Sequence, residues 1–243
     1  MDASLLLIPA IGLAAALFSS VGHGGASAYI ALFALSGFAP EAIRPAALVL
    51  NIVVAGLAAA RFVLAGRFAW DVFWPFAVAA VPAAFWAGRL SLDADIYEPL
   101  LAAVLAAAAA RYLLWPDIDV QKPTAPPAPG VGLLAGGGLG ALAGLTGIGG
   151  GVFLSPLLVF FGWADPIRAA GIAACFIVVN SAAGLAGRLA AMPELPQALP
   201  LWAGAAIVGA WAGSSLSLRR LDGRAMLRAL GLVLALASAA IAL

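Results

Sequence analysis

Long stretches of this chain carry no charge at all. Residues 3–40 and 123–164 contain no Asp, Glu, Lys or Arg, and shorter charge-free runs cover 45–60, 72–88, 99–110, 169–187, 195–218 and 229–243. A soluble domain is about a quarter charged, whereas 9% of this chain is charged and 65% is hydrophobic. A surface of that kind is built for lipid. Crossing a hydrocarbon core of about 30 Å takes about 20 apolar residues, with arginines free to snorkel at the ends. The runs then give eight segments, at 5–36, 43–63, 70–90, 96–115, 131–162, 166–188, 197–218 and 225–243. The expected fold is an all-α, polytopic helical membrane protein of the bacterial inner or plasma membrane. The apolar N-terminus lacks a basic n-region and reads as a retained first segment.

Two segments are too long for one crossing. Residues 5–36 and 131–162 would each run about 48 Å as continuous helix, and each is interrupted by glycines, Gly22-His23-Gly24-Gly25 and Gly147-Ile148-Gly149-Gly150-Gly151. Glycine costs a helix about 1 kcal/mol per residue relative to alanine, so a broken helix or a re-entrant pair of half-helices is expected. The interruptions recur at a fixed distance. Gly22, Gly24 and Gly25 match Gly147, Gly149 and Gly150 at an offset of 125, as do Gly37 with Gly162 and Ala87-Gly88 with Ala212-Gly213. With small shifts of register Asn51 faces Asn180 and Arg61 faces Arg188. The chain divides into a first membrane repeat (1–115), a polar, Pro-rich linker (116–129) and a second repeat (130–243), each repeat opening on its glycine-broken segment.

The second break carries a more specific pattern. The run from Gly144 through Thr146, Gly147, Ile148, Gly149, Gly150, Gly151, Val152, Phe153, Leu154, Ser155 and Pro156, followed by an alanine-rich helix with Asn180-Ser181, resembles the TauE/SafE family of sulfite exporters. The resemblance extends through both halves. In the first half Ala26 stands where the family tends to have a third glycine, and Ala31 where the second half has Pro156. The resemblance implies transport of sulfite, sulfoacetate or another small organosulfur or carboxylate anion.

The cations bear on orientation. If each broken segment crosses once, Arg44, Arg89, Arg168, Arg219, Arg220, Arg224 and Arg228 share a face, opposite Arg61, Arg67, Arg111, Lys122 and Arg188. If each enters and leaves on one side, only Arg44, Arg89 and Arg188 oppose the rest. The second division is cleaner and favours re-entrant segments in inverted halves.

Glycine-broken segments at matching positions of inverted halves mark a mid-membrane substrate site. A broken helix frees backbone N–H groups, and a half-helix N-terminus carries about half a positive charge, so an anion is held without an arginine in lipid. Candidate substrate-binding residues are Gly24, Gly25, Asn51, Gly149, Gly150, Gly151, Ser155, Asn180 and Ser181. The glycines would equally permit close helix packing, and Asn51 and Asn180 would equally serve as hydrogen-bonding glue between helices. His23, the one histidine, stands inside the first break. It either couples transport to protons or satisfies freed carbonyls as a neutral ring. Ser27 reads as structural, Arg61, Arg168 and Arg188 as anchors at helix ends, Cys175 as an apolar filler, and Trp70, Trp74, Trp86, Trp115, Trp163 and Trp202 as an interfacial belt.

Other classes of function lack their residues. A single cysteine excludes a disulfide framework and argues against a thiolate metal cluster or thiol redox chemistry. No phosphate-cradling Gly-x-x-x-x-Gly-Lys-Ser/Thr loop occurs, and a rhomboid-like serine protease would need its histidine on a later helix than His23. A net charge of +1 offers no field to nucleic acid. The expectation is a secondary transporter without cofactor, metal or enzymatic activity, whose partners are a small anion and the bilayer. A permease for another carboxylate or inorganic anion is the nearest alternative, and an intramembrane enzyme or a structural membrane subunit the more distant ones.

Overall fold

The computed structural model describes residues 3–38, 40–90, 125–189 and 195–220, with isolated helical positions between 99 and 114 and between 228 and 239. The described elements are helices: α1 (Ala3–Ser19), α2 (Ala26–Leu35), α3 (Pro40–Leu64), α4 (Trp70–Gly88), α5 (Pro129–Thr146), α6 (Gly151–Phe160), α7 (Pro166–Leu189) and α8 (Leu199–Arg220). Five of them, α3, α4, α5, α7 and α8, are long and apolar enough to cross a membrane. Six of the eight expected segments are thereby accounted for, each overlong one as a pair of helices. The segments 96–115 and 225–243, and residues 116–124 of the linker, lie outside the described residues apart from those isolated positions. The Ser238 hydroxyl donates to the Ala102 carbonyl at 2.9 Å.

Glycine decides where helices stop. Gly22 ends α1 in the left-handed region (φ 76°), and the next amide, His23 N–H, returns to the Phe18 carbonyl at 2.8 Å. Gly147 ends α5 the same way (φ 77°), its N–H on the Ala143 carbonyl at 2.9 Å. Gly37 and Gly162 close the short helices α2 and α6 at φ 75° and 68°. In each case a residue without Cβ turns the chain while the last carbonyls keep a donor. Asp165 starts α7 by accepting from Ile167 N–H and Arg168 N–H, both at 3.0 Å.

Small residues set the packing. Gly132, Gly136, Gly140 and Gly144 form a stripe on α5, and a β-carbon on them would run into Pro75, Phe76, Ala80 and Ala84 of α4. Gly209 and Gly213 of α8 sit likewise on the carbonyls of Gly12 and Ala16 in α1. With no hydrophobic force between helices in lipid, such close backbone approach supplies dispersion contact instead. Both partner series ascend together, so α5 runs parallel to α4 and α1 parallel to α8. Each half thus lays its first helix along the last described helix of the other.

The short helices double back. Phe33 and Phe38, at the end of α2, pack on Trp202 at the start of α8 with ring centroids 4.8 and 5.4 Å apart. That is the level from which α1 sets out. Trp163, after α6, packs 5.9 Å from Phe76 in the first half of α4, where α5 begins. Each broken segment is therefore a hairpin that enters and leaves on one side. Gly171 near the start of α7 lies against Arg67 and Phe62 at the end of α3, whereas Asn51 meets Ser181, so α3 and α7 are antiparallel. The α1–α2 hairpin opens where α3 begins, and the α5–α6 hairpin opens on the opposite face, where α7 begins.

One expectation is corrected here. Trp70 and Trp86, at the two ends of α4, are 65% and 63% exposed, as an interfacial belt requires, but Trp202 is fully buried between Phe33 and Phe38. Its ring closes the mouth of the first hairpin, because the returning α2 needs an apolar surface to end on. Trp115 lies outside the described residues.

Candidate mid-membrane site

The two breaks come together at Asn51 in the middle of α3, beside Ser181 of α7, while their turning glycines lie near the starts of those two helices. Gly22 packs on Ala170 of α7 and Gly147 on Arg44 and Leu48 of α3, so each tip leans on the long helix of the other half. Asn51, in the centre of α3, joins both. Its Oδ1 accepts the Ala26 N–H at 3.3 Å, which caps α2 from another helix. Its Nδ2 donates to the Ile148 carbonyl in the second break at 3.2 Å and to Ser181 Oγ on α7 at 2.9 Å. Three partners on three elements fix the carboxamide. Gly24 must lack a side chain because a β-carbon there would fall on the Asn51 amide, and one on Gly149 would come 2.5 Å from Asn51 Nδ2 and 2.6 Å from Ser181 Oγ.

A second link crosses between the hairpins, where His23 Nε2 lies 3.1 Å from Ser155 Oγ, the fifth residue of α6. His23, Ser27, Tyr29, Asn51, Ser155, Asn180 and Ser181 are each at most 2% exposed, so the group is closed to both faces in this conformation. Several of its polar atoms have no hydrogen-bond partner: His23 Nδ1, Ser27 Oγ, Tyr29 Oη and Asn180 Oδ1. An unsatisfied buried donor or acceptor costs about 1–3 kcal/mol, so four in one region call for a reason. The N-terminus of α6 also has no side-chain cap. Among the described residues the fully buried polar side chains are hydroxyls, two carboxamides and one imidazole, and the guanidinium nitrogens Nε and Nη2 of the half-buried Arg188 at the end of α7 are buried as well. No group of His, Cys, Asp and Glu among the described residues is arranged to hold a metal ion.

Residues 7–241 match the family model described as sulfite exporter TauE/SafE. The chain belongs to the TauE/SafE sulfite exporter family. It is similar to a probable membrane transporter protein, y4hK, of Sinorhizobium fredii, with 38% identity over 223 residues, covering 88% of this chain and 90% of the relative. No solved structure matches. The chain is thus a multi-pass membrane transporter of the cell membrane and not an enzyme.

Within this transporter the candidate residues separate into three kinds. Gly24, Gly25, Gly149, Gly150, Gly151, His23, Ser155, Asn51 and Ser181 come together at the two tips. Of these, Asn51 has both its donors committed, so it positions the tips and has no N–H left over for an anion. Gly25 (φ 91°), Gly149 (φ 82°) and Gly150 (φ 73°) hold left-handed conformations, while Gly24 and Gly151 are needed for close approach, to Asn51 and to Ile177. Asn180 is the exception. It is buried, and its Nδ2 turns back to the Phe176 carbonyl of its own helix at 2.9 Å, which uses one of its two N–H groups and leaves Oδ1 without a partner. Arg61 anchors α3 by donating to the Trp211 carbonyl at 2.8 Å and lying over that ring, and Arg168 pairs with Asp165 at 3.6 Å.

Sequence reasoning passed over Tyr29. Its hydroxyl lies 2.9 Å from where a β-carbon on Gly25 would be, so it overhangs the start of α2. The available signal was one of the chain's three tyrosines standing four residues after a break glycine in an apolar run. A buried tyrosine hydroxyl needs a partner.

Proposed function

We propose that this chain is a secondary transporter that carries sulfite or a related organosulfur anion, and that it binds the anion mid-membrane between the tips of the two hairpins. The observation that supports this reading is the meeting of the two breaks at Asn51 in the buried centre of the molecule, where its carboxamide caps the N-terminus of α2 and bonds the Ile148 carbonyl in the turn that leads into α6. Each N-terminus contributes about half a positive charge, and the unpartnered side-chain donors beside α2 give that field hydrogen bonds to act through. Gly149, Gly150 and Gly151 allow an anion to reach the backbone. Ser155 and Ser181 line the same space. His23 is the coupling residue in this reading, since it is the one titratable group inside either break and it bridges them.

The two halves, 1–115 and 130–243 around the 116–129 linker, act as an inverted repeat. Opposed hairpins on antiparallel α3 and α7 make the site nearly symmetric across the membrane, so a small rocking of one half against the other exposes it alternately. Labelled flux into proteoliposomes, with sulfite, sulfoacetate, thiosulfate and short carboxylates compared, tests the proposal. Sulfite or a sulfonate should move fastest. A protein that is folded and inserted yet moves none of these anions would overturn it.

A further inference from the structure

Resting on the alternating-access reading above, we infer that the two halves rock only after exchanging their last described helices. One moving body is then α1, α2 and α3 with α8, and the other is α4 with α5, α6 and α7. Packing divides the described helices in this way. Among the described residues α8 packs on α1 and α3, and α4 on α5 and α7, each against the other half rather than its own. In the first body Gly209 and Gly213 of α8 sit on the carbonyls of Gly12 and Ala16 in α1, and Ser19 Oγ donates to the Ala210 carbonyl at 3.1 Å. Arg61 of α3 donates to the Trp211 carbonyl at 2.8 Å, and Phe33 of α2 packs on Trp202. In the second body the four glycines of α5 lie along α4. Gly88 of α4 lies on the Gly184 carbonyl of α7, Gly187 of α7 on the Phe85 carbonyl of α4, and Gly151 of α6 on Ala173 and Ile177 of α7.

Glycine seats of this kind hold register. If α5 slides or turns against α4, a β-carbon takes the place of a glycine hydrogen and meets backbone that cannot give way. A tilt instead opens the ladder at one end and loses its dispersion contact. The joint between the two bodies is built differently. The pairing of α3 with α7 is the one extensive helix contact across it among the described residues. There Asn51 meets Ser181 and the Ile148 carbonyl, and His23 meets Ser155, through side-chain hydrogen bonds that can change partners as the helices shift. Backbone lies close on backbone across the joint at the end of α3, where Gly171 sits on the Arg67 carbonyl and Gly22 on Ala170. Arg67 belongs to the 65–69 connection, by which the chain passes from one body to the other. Its neighbour Gly66 is left-handed at φ 71°, with nothing within 4 Å of where a β-carbon would be. The bodies therefore pivot where the chain itself crosses between them.

Two disulfides test this, because each joins helices of different halves inside one body. A β-carbon on Gly12 would lie 3.8 Å from Ala205 Cβ, and one on Gly137 3.9 Å from Ala79 Cβ, against the spacing of about 3.8 Å that a disulfide takes. Gly12→Cys with Ala205→Cys, and Ala79→Cys with Gly137→Cys, are made in a Cys175→Ser background. Labelled sulfite flux in proteoliposomes should stay within about twofold of the reduced protein when either bond is closed. A loss of more than about tenfold on oxidation, regained on reduction, would mean that the sequence halves move against each other and would overturn the exchange. Absent flux in the reduced proteins would instead strike the transport reading, and distances then decide the bodies. Spin labels on cysteines replacing the exposed Leu13 of α1 and Val208 of α8, or Val78 of α4 and Leu134 of α5, should report one narrow separation for each pair in bilayers. Labels at Leu13 and Leu134, on different bodies, should report two. Two separations within either packed pair, with one between Leu13 and Leu134, would overturn the exchange whether or not an anion moves.

Discussion

At the first break the chain turns on Gly22 and Gly25 in the left-handed region and fills the turn with side chains: His23 inside it, Ser27 and Tyr29 just beyond. At the second break Gly147, Gly149 and Gly150 are all left-handed, and Ile148 is the one side chain within the turn. The geometry is shared and the chemistry is not. One tip presents imidazole and hydroxyl groups, the other presents backbone, and Asn51 holds them at a common depth by bonding to both. The difference teaches that two opposed hairpins can meet at one residue without being chemically equivalent. In the proposed transport cycle the similar backbones would serve the exchange of access from one face to the other, and the unlike side chains would serve recognition.

The inverted placement of the tips is the part of this comparison open to an all-or-none test. Single cysteines at Ser36, where the first hairpin exits, and at Asp165, after the second, should label from opposite sides of the membrane in a Cys175→Ser background. Labelling of both by an impermeant reagent from one side would dissolve the opposition between hairpins. Next in size is the clamp. Asn51→Leu leaves the Ala26 N–H, the Ile148 carbonyl and the Ser181 hydroxyl without their partner, at about 1–3 kcal/mol for each buried group left unpaired. Little folded protein should be recovered. Asn180→Leu gives up a single bond within α7 and should cost about 1 kcal/mol. Equal thermal shifts for the two variants would mean that Asn51 does not tie the tips together.

The glycines sharpen the comparison further. Alanine at Gly37 or Gly162 meets nothing nearby and bears only the left-handed backbone, about 1–2 kcal/mol, so flux per folded protein should be retained. Alanine at Gly150 adds contact with Ala143 and Phe176 at 3.1 Å, and at Gly25 with the Tyr29 hydroxyl at 2.9 Å. Both should lose flux by about tenfold or more beyond any loss of stability, because a methyl group then occupies the approach to the backbone. Near-normal flux per folded molecule in Gly25→Ala and Gly150→Ala would take both breaks out of the substrate path.

Much of this architecture was legible in the chain because lipid imposes simple rules. Charge-free runs located the six expected segments that the described residues cover, and the glycine clusters located the breaks to within a residue or two, since each cluster supplies the left-handed residues that a helix end needs. The division of cations into faces pointed to hairpins for the same reason. The site was read less well. Asn51 and Asn180 look alike in sequence, yet one bridges three elements and the other bonds its own helix, a difference set by helix rotation that no residue spacing in the sequence records. The pairing of Ala87-Gly88 with Ala212-Gly213 has the same weakness: Gly88 packs on Gly184 of α7, whereas Gly213 packs on Ala16 of α1. Tyr29 was lost among apolar neighbours because its hydroxyl matters only through its position over Gly25.

The smallest effect expected concerns the proton. His23 belongs to the first break alone, so if coupling runs through it the two tips differ in a way that pH should expose. His23→Gln keeps a polar group near the Nε2 position, able to meet Ser155, and removes the ability to titrate. Methanesulfonate suits the measurement, since its charge is fixed and any pH dependence of its flux belongs to the protein. Wild-type flux should rise as pH falls, and the His23→Gln profile should be flat, with flux at alkaline pH changed by no more than about threefold. Ser155→Ala breaks the same link from the other side but leaves the imidazole, so its profile should keep its slope. A His23→Gln protein with the wild-type slope would return His23 to a structural role between α1 and α6, and the asymmetry of the two breaks would then rest on hydroxyl groups alone.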